Sequence, residues 1–143
     1  MNAKNLTVGS LHLGTTPASG EPTYGYSFAS RPSALKFWYK YSPRNSADYG
    51  YAEVQIKDAN GNVIAEGKSN LNAVGNYTQH TFALDYAAGS AKAATICVTF
   101  RSSNNPACQT ISNDNLTKPG FGNLSDGKYE GSLLYIDDIE LTY

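Results

Sequence analysis

The sequence predicts an all-β domain, two antiparallel sheets packed as a β-sandwich, and three observations carry that expectation. Short apolar runs alternate with polar residues at a period of two, the spacing that sends successive side chains to opposite faces of a strand. Turn-forming residues separate the runs, with 13 Gly and 6 Pro in 143 positions. The aromatic content of 12%, made of 11 Tyr, 5 Phe and 1 Trp, suits strands, and no helical segment interrupts their succession. An internal repeat of solenoid length is absent as well.

Taken in order, Leu6, Val8, Leu11 and Leu13 suggest one broken strand or two short ones. Residues 34–41 form the clearest strand: Leu35, Phe37, Tyr39 and Tyr41 point inward while Lys36, Trp38 and Lys40 point outward. Residues 50–57 repeat the pattern, with Ala52, Val54 and Ile56 inside and Tyr51, Glu53 and Gln55 outside. Asn60 and Gly61, both tolerant of positive φ, then turn the chain into a strand at 63–66. Residues 77–85 carry Phe82 and Leu84 inward. Residues 93–101 carry Ala94, Ile96, Val98 and Phe100 on one face and Thr95, Cys97, Thr99 and Arg101 on the other. In the last strand, 132–143, Leu134 and Ile136 are out of phase with Ile139, Leu141 and Tyr143. A β-bulge at Asp137 and Asp138 restores the phase, because one extra residue returns both apolar sets to the core side. Seven to nine strands result. Two segments, 14–32 and 102–131, do not follow the strand rhythm and read as long loops of the kind that are usually functional or tethered.

A chain of this length makes one domain, residues 1–143, able to bury roughly 68–70% of its unfolded surface without a metal or disulfide. Its 11 Lys and Arg against 12 Asp and Glu give a net charge of −1, and no two basic residues are adjacent. Nucleic acid is therefore not an expected partner. No run approaches the roughly 18 apolar residues of a membrane span, and the first residues lack the apolar core of a signal peptide, so an export signal is expected to have been removed or to lie upstream. Cys97 and Cys108 are a candidate disulfide that would close a loop of about a dozen residues and stabilise by about 3 kcal/mol; two free thiols are the alternative.

The motifs of metal, nucleotide and nucleophile chemistry are missing. His12 and His80 are the two histidines, far apart, and His80 lies in phase with Phe82 and Leu84 as a packing residue. Asp138 and Glu140 lie two apart on the last strand and superficially match the acidic strand of sandwich-fold glucanases, but the further flanking Glu is replaced by Leu134, Tyr135 and Ile136. The chain is thus expected not to be an enzyme. Asp58, Asn60 and Asn62 imitate the opening of an EF-hand, yet Gly61 comes one residue early and no Glu closes the loop, so a hairpin is expected there. Sequons at Asn5, Asn76, Asn115 and Asn123 carry no further information in a chain so rich in Asn, Ser and Thr.

Chemistry resides instead in the outward positions: Lys36, Trp38 and Lys40; Tyr51, Glu53 and Gln55; Tyr77, Gln79 and Thr81; Thr95, Thr99 and Arg101. An indole or phenol offers a flat apolar surface for the C–H face of a pyranose, and amide, carboxylate and cationic neighbours bond the ring hydroxyls. Of these, Trp38, Lys36, Lys40, Tyr51, Gln55, Gln79 and Arg101 are the candidate sugar contacts. The competing reading has Trp38 covering a sheet edge, lying under a loop or docking a neighbouring domain. Tyr24, Tyr26, Tyr49 and Tyr129 offer a second platform at the rim, with ordinary loop packing as the alternative.

Asp137 and Asp138 place two carboxylates in a strand otherwise bound for the core, and a buried charge demands compensation. Calcium would supply it, with Asn- and Asp-bearing loops and backbone carbonyls near the N-terminus completing the shell. A hydrogen bond to loop amides or to Arg31 is the other solution.

Three stretches taken together, Arg31-Pro32 with Leu35 to Pro43, Thr99 to Ser103, and Gly131 to Tyr143, resemble the putative carbohydrate metabolism domain family of Bacteroides-type bacteria. The likeness runs from about Leu6 to Tyr143. It implies a galactose-binding-like jelly roll of the carbohydrate-binding-module kind, placed at the C-terminal end of an exported, often lipid-anchored protein behind immunoglobulin-like domains. It also implies a periplasmic or outer-surface location, a poly- or oligosaccharide partner, and a structural calcium site matching Asp137. The expectation is a non-catalytic glycan-binding module. A structural or adhesion domain using the same aromatic face is the alternative, and a glycoside hydrolase a third.

Overall fold

The computed structural model describes residues 3–5, 8–13, 25–89, 91–112 and 131–143. These form eleven strands: β1 (Ala3–Asn5), β2 (Ser10–Leu13), β3 (Tyr26–Ser27), β4 (Ala34–Ser42), β5 (Gly50–Lys57), β6 (Val63–Leu71), β7 (Val74–Ala83), β8 (Asp85–Tyr86), β9 (Thr95–Arg101), β10 (Thr110–Ser112) and β11 (Leu133–Thr142). One 3-10 turn, Pro106–Cys108, is capped by the Asn105 side chain, which accepts the Ala107 N–H. No helix among the described residues is long and apolar enough to cross a membrane.

The strands make two main antiparallel sheets. A three-stranded sheet has the order β11-β4-β7, and a six-stranded sheet the order β2-β9-β5-β6-β8, with β3 also pairing with β9. A separate ribbon joins β1 to β10. The alternation of β4 is realised: Leu35, Phe37, Tyr39 and Tyr41 are buried, and they meet Ala52, Val54 and Ile56 of β5 and Ile96, Val98 and Phe100 of β9 in one core. Phe37 stands at its centre, edge-on to Phe100 at 5.0 Å between ring centroids and to His80 at 5.6 Å. Tyr39 and Tyr41 bury their rings but keep their hydroxyls bonded, to the carbonyls of Asn72 and Ser102 respectively. Burial pushes the Tyr41 phenol up to about 12, so it remains a neutral donor.

The chain changes sheets twice in quick succession. β6 belongs to the large sheet and β7 to the small one; beyond Ala83 the buried Leu84 carries the chain back, and β8 rejoins β6. Where they converge, Gly67 admits no side chain, since a Cβ there would lie 2.5 Å from the Ala83 carbonyl oxygen. At the end of the sandwich, the buried Asp48 carboxylate accepts the N–H groups of Tyr49 and Asn105 and the hydroxyl of Ser132, pinning three segments together.

Three expectations are corrected. β6 continues to Leu71, and β7 begins at Val74. In the β5–β6 turn only Gly61 takes positive φ (85°), because the Asp58 carboxylate accepts the N–H groups of Asn60 and Asn62 and folds a longer loop than a two-residue turn. Tyr143 is 76% exposed rather than inward, lying beyond the last paired residue of β11. Of the two readings left open for the cysteines, the structure has the free thiols, both buried. Cys97 lies on the outward phase of β9, four residues before the strand's end and thus about 13 Å along it. Cys108 sits in the turn beyond that end, and a disulfide needs Cα atoms within about 7 Å.

Candidate functional site

The outward residues of the notional single face divide between two surfaces on opposite sides of the sandwich. Lys36, Trp38 and Lys40 of β4 lie beside Thr81, Gln79 and Tyr77 of β7 on the outer face of the small sheet. Tyr51, Glu53 and Gln55 of β5 pair with Arg101, Thr99 and Cys97 of β9 on the outer face of the large sheet. A single ligand site therefore cannot contain all seven candidate contacts, because the core separates the two groups.

The small-sheet face is the aromatic one. Trp38 sits in the middle strand and retains 38% of its surface exposed, flanked in register by Gln79 on one side and Asp137 on the other. One row further along, Lys40 lies between two phenols: its ammonium is 4.4 Å from the Tyr135 ring centroid and 5.7 Å from that of Tyr77. Both tyrosines are exposed. In the row on the other side of Trp38, Lys36 forms an ion pair with Glu140 at 2.6 Å. The face thus presents three aromatic surfaces with an amide, a carboxylate and an ammonium among them. Tyr135 is the member that the pattern of residue types did not single out; its phase, opposite to Leu134 and Ile136, is the signal that places it outward.

The large-sheet face is more heavily self-engaged. The Arg101 guanidinium lies 6.0 Å from the Tyr51 ring centroid, Gln55 donates to Glu53, and Lys68 pairs with Glu66 at 2.9 Å. Burial foremost, with the nearby Glu53 carboxylate, raises the Tyr51 phenol above its ordinary range. Thr99 and Cys97 are buried although they occupy the outward phase, which corrects the expectation of an open threonine there. Of the rim tyrosines, Tyr26 is exposed and Tyr49 half-buried; Tyr24 and Tyr129 lie outside the described residues, as do Asn115 and Asn123.

Asp137 and Asp138 are both exposed, so the desolvation that called for a calcium ion does not arise. The Asp137 carboxylate accepts the Asp138 N–H at 2.9 Å, and Arg31 is engaged elsewhere, donating to the Ala91 carbonyl and lying over the Tyr86 ring. Among the described residues no three or more His, Cys, Asp or Glu side chains gather in a group able to hold a metal. Glu140 faces the open sheet surface with Lys36.

A second feature lies at the opening between the sheets. Leu11 and Leu13 of β2 and Ile139 of β11, all exposed, border an apolar cleft of about 260 Å³ floored by Val98 and Phe100, with His12 at its side.

Comparison with protein-family models, with curated proteins and with solved structures gave no significant match to this chain. What the fold and the two surfaces define is a class: an all-β domain of two packed antiparallel sheets, with an open aromatic face on the smaller one.

Proposed function

We propose that this domain is a non-catalytic carbohydrate-binding module with a jelly-roll, galactose-binding-like sandwich, and that it takes its glycan on the outer face of the small sheet. The exposure of Trp38 between Gln79 and Asp137 is the observation that carries the reading. An indole held by the middle strand of a sheet loses little freedom when a pyranose stacks on it. The amide and carboxylate on either side reach the equatorial hydroxyls, donating and accepting as the sugar requires. Tyr77 and Tyr135 extend the apolar surface beyond one sugar ring. The resemblance to a family of exported bacterial carbohydrate domains points to the same substrate class and to a location outside the cytoplasm.

Affinity electrophoresis through a panel of soluble polysaccharides tests the proposal. Wild-type protein is expected to be retarded by at least one of them, and Trp38→Ala to lose about tenfold or more in affinity, about 1.4 kcal/mol per decade, with an unchanged far-ultraviolet spectrum. Equal retardation of the two proteins would remove the sugar from this face.

A protein-interaction domain is the second reading, and the cleft between Leu11, Leu13 and Ile139 favours it, because exposed aliphatic side chains there remain unburied by the described residues. Concentration-dependent association abolished by Ile139→Lys but not by Trp38→Ala would support that role for the cleft.

A further inference from the structure

We infer that the glycan taken by the Trp38 face is acidic, with its anionic group seated over Lys40; this rests on the glycan-binding reading and specifies its substrate class. The two lysines of the face differ in what they meet. Lys36 is neutralised by Glu140 across the strand pair. Lys40 meets no carboxylate among the described residues; the Tyr135 and Tyr77 rings stand on either side of it. Aromatic rings attract an ammonium through their quadrupoles and hold it in place, yet they leave its full unit charge uncompensated. The face therefore contains a positioned cation that, among the described residues, is paired with nothing of opposite charge.

Its position relative to the indole sets the chemistry. Trp38 and Lys40 are successive outward residues of β4, so their Cα atoms lie about 6.6 Å apart. That spacing is close to one sugar ring, so a pyranose stacked on Trp38 extends its exocyclic group, or its neighbour's, over Lys40. Asp137 fixes the direction. It stands directly across from Trp38, and an anion placed on that side would be repelled, whereas hydroxyls there find an acceptor. Hydroxyls toward Asp137 and an anion toward Lys40 describe a uronic acid or sulfated sugar better than a neutral one.

The test centres on a pair of probes that differ chiefly in charge. Polygalacturonate and its methyl ester share one ring and one linkage, and alginate, heparin and neutral galactan and xylan widen the set. Binding is measured on wild type, Lys40→Gln, Lys40→Arg and, as a charge control on the opposite sheet, Lys68→Gln, with thermal melts to confirm folding. The acidic polymer is expected to bind about tenfold more tightly than its neutral counterpart. Lys40→Gln should abolish that preference, Lys40→Arg should retain most of it, and Lys68→Gln should leave it unchanged. Neutral and acidic polymers bound equally by wild type, or a preference that survives Lys40→Gln, would overturn the acidic assignment while leaving the sugar reading intact. Failure of every polymer, charged or neutral, to bind the wild-type protein would overturn both.

Discussion

Trp38 on β4 stands directly opposite Asp137 on β11, and the next outward pair, Lys36 with Glu140, is reached only after one extra residue of β11. Phe37, between them on the inward side, therefore faces two residues of β11, Asp138 and Ile139. This bulge serves both sides of the sheet. It keeps Ile136 and Leu141 against the core, and it keeps Asp137 and Glu140 on the outer face with the indole and Lys36.

Asp137 is the residue at which two functions can be told apart. As an exposed acceptor beside the indole, its replacement by Ala is expected to weaken glycan binding by about tenfold or more, the loss of a charged hydrogen bond being about 1.5–3 kcal/mol. The melting temperature should hardly move, with or without chelator. A calcium-dependent rise in melting temperature that disappears in Asp137→Ala would instead assign this carboxylate to an ion.

Asp138 holds the bulge open with φ of 49°, in the left-handed region where a Cβ crowds the backbone. A short polar side chain tolerates that conformation, and a β-branched one does not. Asp138→Val is expected to lower stability by about 1–2 kcal/mol, and Asp138→Gly to leave it within about 0.5 kcal/mol. Urea denaturation of the two variants checks the order; equal stability of Val and Gly would mean that the strand relaxes out of the left-handed conformation at no cost.

The parts of the fold that could be read from the chain are those set by alternation. The inward residues of β4, β5 and β9 and the phase slip in β11 follow from period two alone, because a one-residue error would exchange core and solvent for a whole strand. Alternation says nothing of which sheet a strand joins. For that reason Trp38 and Tyr51, equivalent in pattern, lie on opposite sides of the molecule. The sheet change between β6 and β7, and the return at Leu84, depend on close approach at Gly67 rather than on any periodicity. Half the site was accessible in the same way: Trp38, Lys36, Lys40 and Gln79 share the small sheet as their phases allow. Tyr135 is outward by its phase, but that it and Asp137 lie beside Lys40 and Trp38 depends on the pairing of β11 with β4, which alternation does not report.

The cysteines offer a test of chain geometry. Both thiols are buried and unpaired, Cys97 within 3.8 Å of the Thr99 hydroxyl, and burial foremost raises the Cys108 thiol. Reductant is therefore expected to leave the melting temperature unchanged. Both groups should react with a thiol reagent slowly in the native protein and rapidly in denaturant, since burial keeps the reagent from either sulfur. A protein that blocks neither thiol after unfolding without reductant would contain the disulfide.

His80 carries the pH dependence. It lies on the inward side of β7, its Nε2 sharing a 2.8 Å hydrogen bond with the Ser69 hydroxyl of the facing sheet, its ring against Phe37 and Tyr39. Burial lowers its pKa below the usual histidine value of about 6.5. Above that value the ring is neutral in both folded and unfolded chains, and its contribution to stability is complete. As the pH falls through it, the unfolded chain takes up the proton first, so stability declines until the pH passes below the folded value. The denaturation midpoint of wild type is expected to drop between about pH 7.5 and about pH 5.5, and His80→Gln, which keeps a polar partner for Ser69 but does not titrate, to drop less. Parallel profiles for the two proteins would place the titrating group elsewhere. A steeper decline in wild type ties the acid sensitivity of the domain to the hydrogen bond between its two sheets.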